Sequence, residues 1–193
     1  MNFLAHIYLS DDDKLLAVGN FIGDFVKGKQ FEAFPKLIRE GIILHRAIDS
    51  YTDSHSLTAE ARTWMYPIFG KYAGIYLDVF YDYFLAANWD SYHNIPLRKY
   101  THRFYLWLLQ NYMQLPAEVR GFLPNMIATN RLYSYRSVKG IKRALNVMAA
   151  HTSLPLKTNE AILFLNDNHN KLNDNFKRFF AELQAYVKHY QKI

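Results

Sequence analysis

The sequence predicts an all-α fold, a compact single-domain helical bundle spanning residues 1–193. Three observations predict it. Apolar residues recur three and four apart almost throughout the chain, the period of amphipathic helices. No segment alternates apolar and polar residues between hairpin turns, as a half-buried strand would. Asp and His residues repeat at four-residue steps, which puts them on shared helix faces. Phe and Tyr together make up 29 of 193 residues. They favour strands by propensity, but their spacing here is helical. With 50% hydrophobic residues the chain is too apolar for disorder and long enough to bury a substantial core.

Taken in order, Leu15, Leu16, Val18, Phe21, Ile22 and Phe25 form the apolar face of a first segment ending near Gly28. Pro35 opens the next helix, because a missing N–H is harmless in a first turn. Leu37, Ile38, Ile42 and Ile48 form the apolar side of that helix, which ends near Asp53. Ser56 or Thr58 can cap a short helix through Trp64. Residues 71–87 are apolar almost all round, as expected of a central helix. Pro96 opens another, to about Met113, and Pro116 and Ser137 mark two shorter ones. The last stretch, from about Asn159 to Tyr190, carries Ile162, Leu165, Leu172, Phe176, Phe179, Leu183 and Tyr186 on one stripe. It reads as a single long helix.

Cysteine is absent, which rules out disulfides and thiolate metal sites. No apolar run approaches the roughly 18–20 residues of a membrane span. Asp11, Asp12 and Asp13 interrupt the N-terminal segment before a signal-peptide core develops. A cytoplasmic location is the expectation. The net charge of +6 is unevenly placed: residues 1–100 carry 10 basic and 12 acidic side chains (−2), residues 101–193 carry 13 and 5 (+8). From Val119 to Asn159 there is no acidic residue. Such a field attracts an anionic partner, whether nucleic acid, anionic lipid or acidic protein. Arg136, Lys139 and Arg143 repeat at near one-turn spacing and form a candidate cationic helix face. Tyr133 and Tyr135 beside them would also suit base stacking.

The candidate chemistry lies in the first half. His45, Asp49 and Asp53 are successive steps of four along one helix face, and His55 follows just beyond. Asp78 and Asp82 repeat the step on the apolar central helix. Imidazole and carboxylate together suit Mn, Fe or Zn, and buried carboxylates need a cation, donors or a proton. The bland alternatives are a salt bridge to Arg46 or Arg62, hydrogen bonds to tyrosines, or a helix cap at Asp53 or Ser54. Asn20 and Asp24 share a face between Gly19 and Gly23, where a helix or ligand can approach closely, or where the chain forms a loop. His6, alone among apolar residues, reads first as a satisfied core residue. There is no Gly-rich phosphate loop and no Gly-x-Ser-x-Gly elbow.

Four stretches make a family resemblance. They are Met1-Asn2-Phe3-Leu4-Ala5-His6, Gly19-Asn20-Phe21-Ile22-Gly23-Asp24-Phe25-Val26-Lys27-Gly28, Gly41 to His55 around Leu44-His45-Arg46-Ala47-Ile48-Asp49, and Asp78-Val79-Phe80-Tyr81-Asp82 continuing to Trp89. They closely resemble the bacterial acyl carrier protein phosphodiesterases, a family similar to a divergent branch of the HD phosphohydrolases. The resemblance implies hydrolysis of the phosphodiester joining 4′-phosphopantetheine to a serine of holo-acyl carrier protein. It implies a divalent metal, typically Mn²⁺, with Mg²⁺, Fe²⁺ and Zn²⁺ overlapping in ligand preference. It gives Asp24, His45, Asp49 and Asp78 as the core ligand set, with Asp82 and His6 completing it or supporting it. Asp53 is expected to orient a histidine ligand, His55 to protonate the leaving serine oxygen, and Arg46 to hold a phosphate oxygen. The cationic face would dock the acidic carrier protein. No nucleic-acid or membrane partner is expected. The chain departs from the usual HD signature in that Arg46, not Asp, follows His45. Two other readings share parts of this pattern: a phosphohydrolase of nucleotides or other small phosphodiesters, and a non-enzymatic helical module binding RNA or acidic protein.

Overall fold

The computed structural model describes residues 1–191, and these form eleven α-helices and no strand. The all-α expectation holds. The first helix, α1 (Phe3–Tyr8), is too short for periodicity to announce it. It persists because its free N-terminal N–H groups find partners. Asn2 Oδ1 accepts from Phe3 N, and the two carboxylate oxygens of Asp82 accept from Leu4 N and Ala5 N at 2.8 and 3.0 Å.

Helix α2 (Lys14–Ile22) is capped by Asp13, whose side chain accepts from Leu16 N. It stops short of the expected end near Gly28, tightening into a 3₁₀ turn over Gly23–Phe25. Helix α3 (Lys36–Ser54) follows Pro35 as expected and packs on α2 more closely than any other pair. Gly19 and Gly41 make this crossing possible. A Cβ on Gly19 would stand 2.1 Å from the Ile38 carbonyl oxygen, and one on Gly41 would stand 2.2 Å from that of Leu16.

Helix α4 (Ser56–Phe69) runs past Trp64 and carries Pro67 in its last turns. Helix α5 (Ala73–Ala87) is the central helix: of its residues only Gly74, Ile75, Asp78 and Ala87 are not buried. Helix α6 (Leu97–Gln110) packs on α2, the single-turn α8 (Arg131–Ser134) meets α6, α7 (Ala117–Ala128) and α9 (Val138–His151), and α9 packs on α5. The expected single helix from Asn159 to Tyr190 is two, α10 (Thr158–Asp167) and α11 (His169–Tyr190). The break falls at Asn168, whose side-chain amide donates to the Phe164 carbonyl and so competes with helix continuation. One hydrophobic core runs from Met1 to Val187. No helix among the described residues is long and apolar enough to cross a membrane.

Candidate metal centre

Two imidazoles and one carboxylate meet where α1, α2 and α3 converge. The rings of His6 (α1) and His45 (α3) stack at 4.0 Å between centroids, with 21° between planes. The Asp49 carboxylate, one turn beyond His45, spans both rings. Its Oδ1 lies 3.2 Å from His6 Nε2 and its Oδ2 lies 3.1 Å from His45 Nε2. Asp24, in the 3₁₀ turn after α2, places Oδ1 3.3 Å from the same His45 nitrogen. Gly23 lets that turn lie against His45, since a Cβ there would stand 2.3 Å from the ring.

Asn20 fixes the protonation of both rings. Its Nδ2 donates to the His6 carbonyl (2.7 Å) and to Ser10 Oγ (3.0 Å), so its Oδ1 is the free acceptor. His6 Nδ1–H donates to that oxygen at 2.8 Å. His45 Nδ1–H donates to the Asn20 backbone carbonyl, also at 2.8 Å. Each Nε2 therefore faces carboxylate oxygen with either a lone pair or a second proton. Burial, with His45 close by, pushes His6 down to about 4, and its Nε2 also lies 3.2 Å from the Met1 carbonyl oxygen. Burial also opposes charge on His45, but hydrogen bonds to Asp24 and Asp49 outweigh it and hold the ring up at about 9. Asp49 is resisted by burial yet held well below the usual carboxylate range by the two histidines.

The ligand atoms of His6, His45 and Asp49 lie within 4.8 Å of one another, close enough to share one cation. Both Nδ1–H groups are anchored from behind, as the ring N–H of a metal-binding histidine commonly is, which leaves each Nε2 turned toward that point. The donor set fits a divalent cation.

Next to Asp49, a cavity of about 320 Å³ is lined by the carboxylates of Asp24, Asp49, Asp53 and Asp78, by Met1 and Asn2, and by the apolar Ile75, Val79 and Met148. The Met1 α-ammonium sits between Asp78 and Asp49, 3.2 and 3.5 Å from their Oδ1 atoms. Asp78 is raised by burial, against the pull of that ammonium.

Residues 1–183 match the family model described as acyl carrier protein phosphodiesterase. This chain belongs to that family. It is 28% identical over 192 residues to the acyl carrier protein phosphodiesterase of Enterobacter sp. (strain 638), covering 99% of this chain and 100% of that one. The protein of the same name from Klebsiella pneumoniae subsp. pneumoniae is 29% identical over the same share of each chain. That from Escherichia coli O9:H4 is 28% identical over 190 residues, 98% of each. No solved structure matches the chain. As a member of the acyl carrier protein phosphodiesterase family, the chain is an enzyme that hydrolyses a phosphodiester.

Four family-based role assignments meet a different local geometry. Asp82 lies one turn behind Asp78, fully buried, with both oxygens taken by the backbone of α1. Burial raises it to about 7 despite those bonds. Its place is to seat α1, and with it His6, rather than to reach the cavity. Asp53 lines the cavity but pairs with Arg62 at 3.1 Å. It lies two turns, about 12 Å, beyond His45, and the group that orients His45 is Asn20. His55 caps α4 through Nδ1, which accepts from Leu57 N, and turns Nε2 to Glu182 of α11 at 3.1 Å. Arg46 donates to the carbonyls of Val26 (2.9 Å) and Gly28 (2.8 Å) and lies over the Phe31 ring, clamping the loop that follows Asp24.

Arg136 precedes Ser137, the N-cap of α9, so it shares no helix face with Lys139 and Arg143. It stacks on Tyr133 and lines a separate cavity with Ala86 and Trp89. That is about 12 Å along α5 from Asp78. Lys139 and Arg143 are exposed on α9, the helix that brings Met148 to the cavity.

The sequence named Asn20 only as the neighbour of Asp24. A usable signal was present: an amide in a stretch otherwise made of Ala17, Val18, Gly19, Phe21 and Ile22 must find partners inside the core.

Proposed function

We propose that this chain hydrolyses the phosphodiester between 4′-phosphopantetheine and a serine of holo-acyl carrier protein, releasing the apo protein and 4′-phosphopantetheine. The reading is carried by the His6–His45–Asp49 triad, in which the Nδ1–H of each imidazole is held by Asn20 and each Nε2 faces the Asp49 carboxylate. The family membership supports the substrate. His6, His45 and Asp49 would hold a divalent cation, Mn²⁺ in the first instance, with Asp24 within reach beside His45. Such an ion supplies activation of water and neutralises charge building on a phosphoryl oxygen. The residues do the rest of the positioning: Asn20 aligns both rings, Asp82 seats α1, and Arg46 holds the loop that presents Asp24.

The decisive experiment is mass analysis of purified holo-carrier protein after incubation with this chain, with and without chelator. Loss of the prosthetic group's mass in the Mn²⁺-replete sample alone is the expected result. An unchanged mass, together with turnover of free nucleotides, would put the activity on small phosphodiesters instead.

Docking of the carrier protein is assigned to the exposed cations of α9. Lys139 and Arg143 stand on the exposed face of α9, the helix whose opposite face carries Met148 to the cavity. Reversing both to Glu is expected to raise KM for the carrier protein several-fold and to flatten its salt dependence, because such charges act mainly on encounter. Metal content should stay as in the wild type. A KM that does not move would place docking on another face.

A further inference from the structure

We propose that Ile75, Val79 and Met148 form the seat for the branched carbon of the pantetheine arm and select that arm over other phosphodiesters. This inference rests on the reading just given. Helix α5 is buried nearly all round, yet Ile75 is 39% exposed. It sits one turn before Asp78 and lines the same cavity. Core packing does not account for an apolar side chain left open beside four carboxylates. Met148 reaches the cavity from α9, and Val79, 1% exposed, forms its floor. The cavity lining thus sets carboxylates beside apolar side chains, with Ile75 and Val79 next to Asp78 on one face of α5.

A substrate matching this mixed lining carries a charged phosphoryl group with an apolar group close to it. In 4′-phosphopantetheine a quaternary carbon bearing two methyl groups lies two bonds beyond the phosphate ester oxygen. Phosphate at a cation held beside Asp49 would bring those methyls toward Ile75 and Met148. A nucleotide presents a hydroxyl-bearing ring at the same place, which an apolar wall leaves without hydrogen-bond partners. At about 320 Å³ the cavity is at the small end of ligand sites. It suits the phosphate end of the arm rather than its whole length.

Calorimetric titration of the Mn²⁺-loaded wild type, Ile75→Ser and Met148→Ser with 4′-phosphopantetheine and with inorganic phosphate tests this. Affinity for 4′-phosphopantetheine should fall by about tenfold in each variant, the usual effect of removing apolar contact from a pocket, and phosphate affinity should not move. Ile75→Leu should restore most of the loss. An equal fall for both ligands, or none for either, would overturn the assignment. A wild type that binds 4′-phosphopantetheine through Ile75 but leaves holo-carrier protein intact would sink the hydrolase reading alone.

Discussion

Asp49→Ala is expected to lower kcat/KM on holo-carrier protein by on the order of a thousandfold, about 4 kcal/mol of transition-state stabilisation, and to abolish stoichiometric metal. Asp49 is the one described group that touches both His6 Nε2 and His45 Nε2. Without it the two rings share no anionic partner, and the Asp24 carboxylate reaches only His45. Asn20→Ala is the informative contrast. The ligands remain but the rings lose their anchors, so metal affinity should weaken by about 10–100-fold and kcat should largely recover at saturating Mn²⁺. Metal content by elemental mass spectrometry, alongside turnover, separates the two effects. An Asp49→Ala protein with wild-type turnover and bound metal would refute the centre.

Gly41→Ala should lower stability by about 3 kcal/mol, the upper part of the usual range for overpacking, or roughly 10 °C in Tm for a chain of this size. Ala is ordinarily better than Gly within a helix by about 1 kcal/mol, so a destabilisation reports the crossing alone. The added Cβ would meet Leu16 O at 2.2 Å and Asn20 N at 2.7 Å, both backbone atoms that cannot swing away. The helices must separate, carrying Asn20 and the Asp24 turn away from His45. Denaturant unfolding and activity should therefore fall together. A variant as stable as the wild type would show that α2 and α3 do not pack this closely.

The helices that the sequence marked clearly were the long ones. Pro35, Pro96 and Pro116 each stand at the start of a helix, because proline fixes a helical φ and lacks only an N–H that the first turn leaves free. Helix α1 was missed because six residues give no period and its stability comes from Asp82, 77 and 78 residues away in sequence. The single helix expected after Asn159 was split by a side-chain hydrogen bond at Asn168, a local competition that apolar spacing does not register.

The site divides in the same way. His45 and Asp49 could be paired from their four-residue step, since a helix face is a local property. Asp24 and Asp78 stood out by their four-residue steps with Asn20 and Asp82, the resemblance added them to the ligand set, and the structure brings both to the cavity. His6, Asn20 and the positions of Asp53, Asp82, His55 and Arg46 depended on which helices meet. A side chain's electrostatic duty is set by its neighbours across the fold: Asp82 faces an N-terminus, Asp49 faces two imidazoles, and Asp53 faces a guanidinium.

What the sequence determined by itself is the helical class, the family, and the residues able to bind a cation, because periodicity and residue chemistry are written locally. What the tertiary structure alone decided is which of those residues meet. Two glycines allow α2 and α3 to touch, and only that contact sets one asparagine behind both imidazoles and turns their free nitrogens toward one carboxylate.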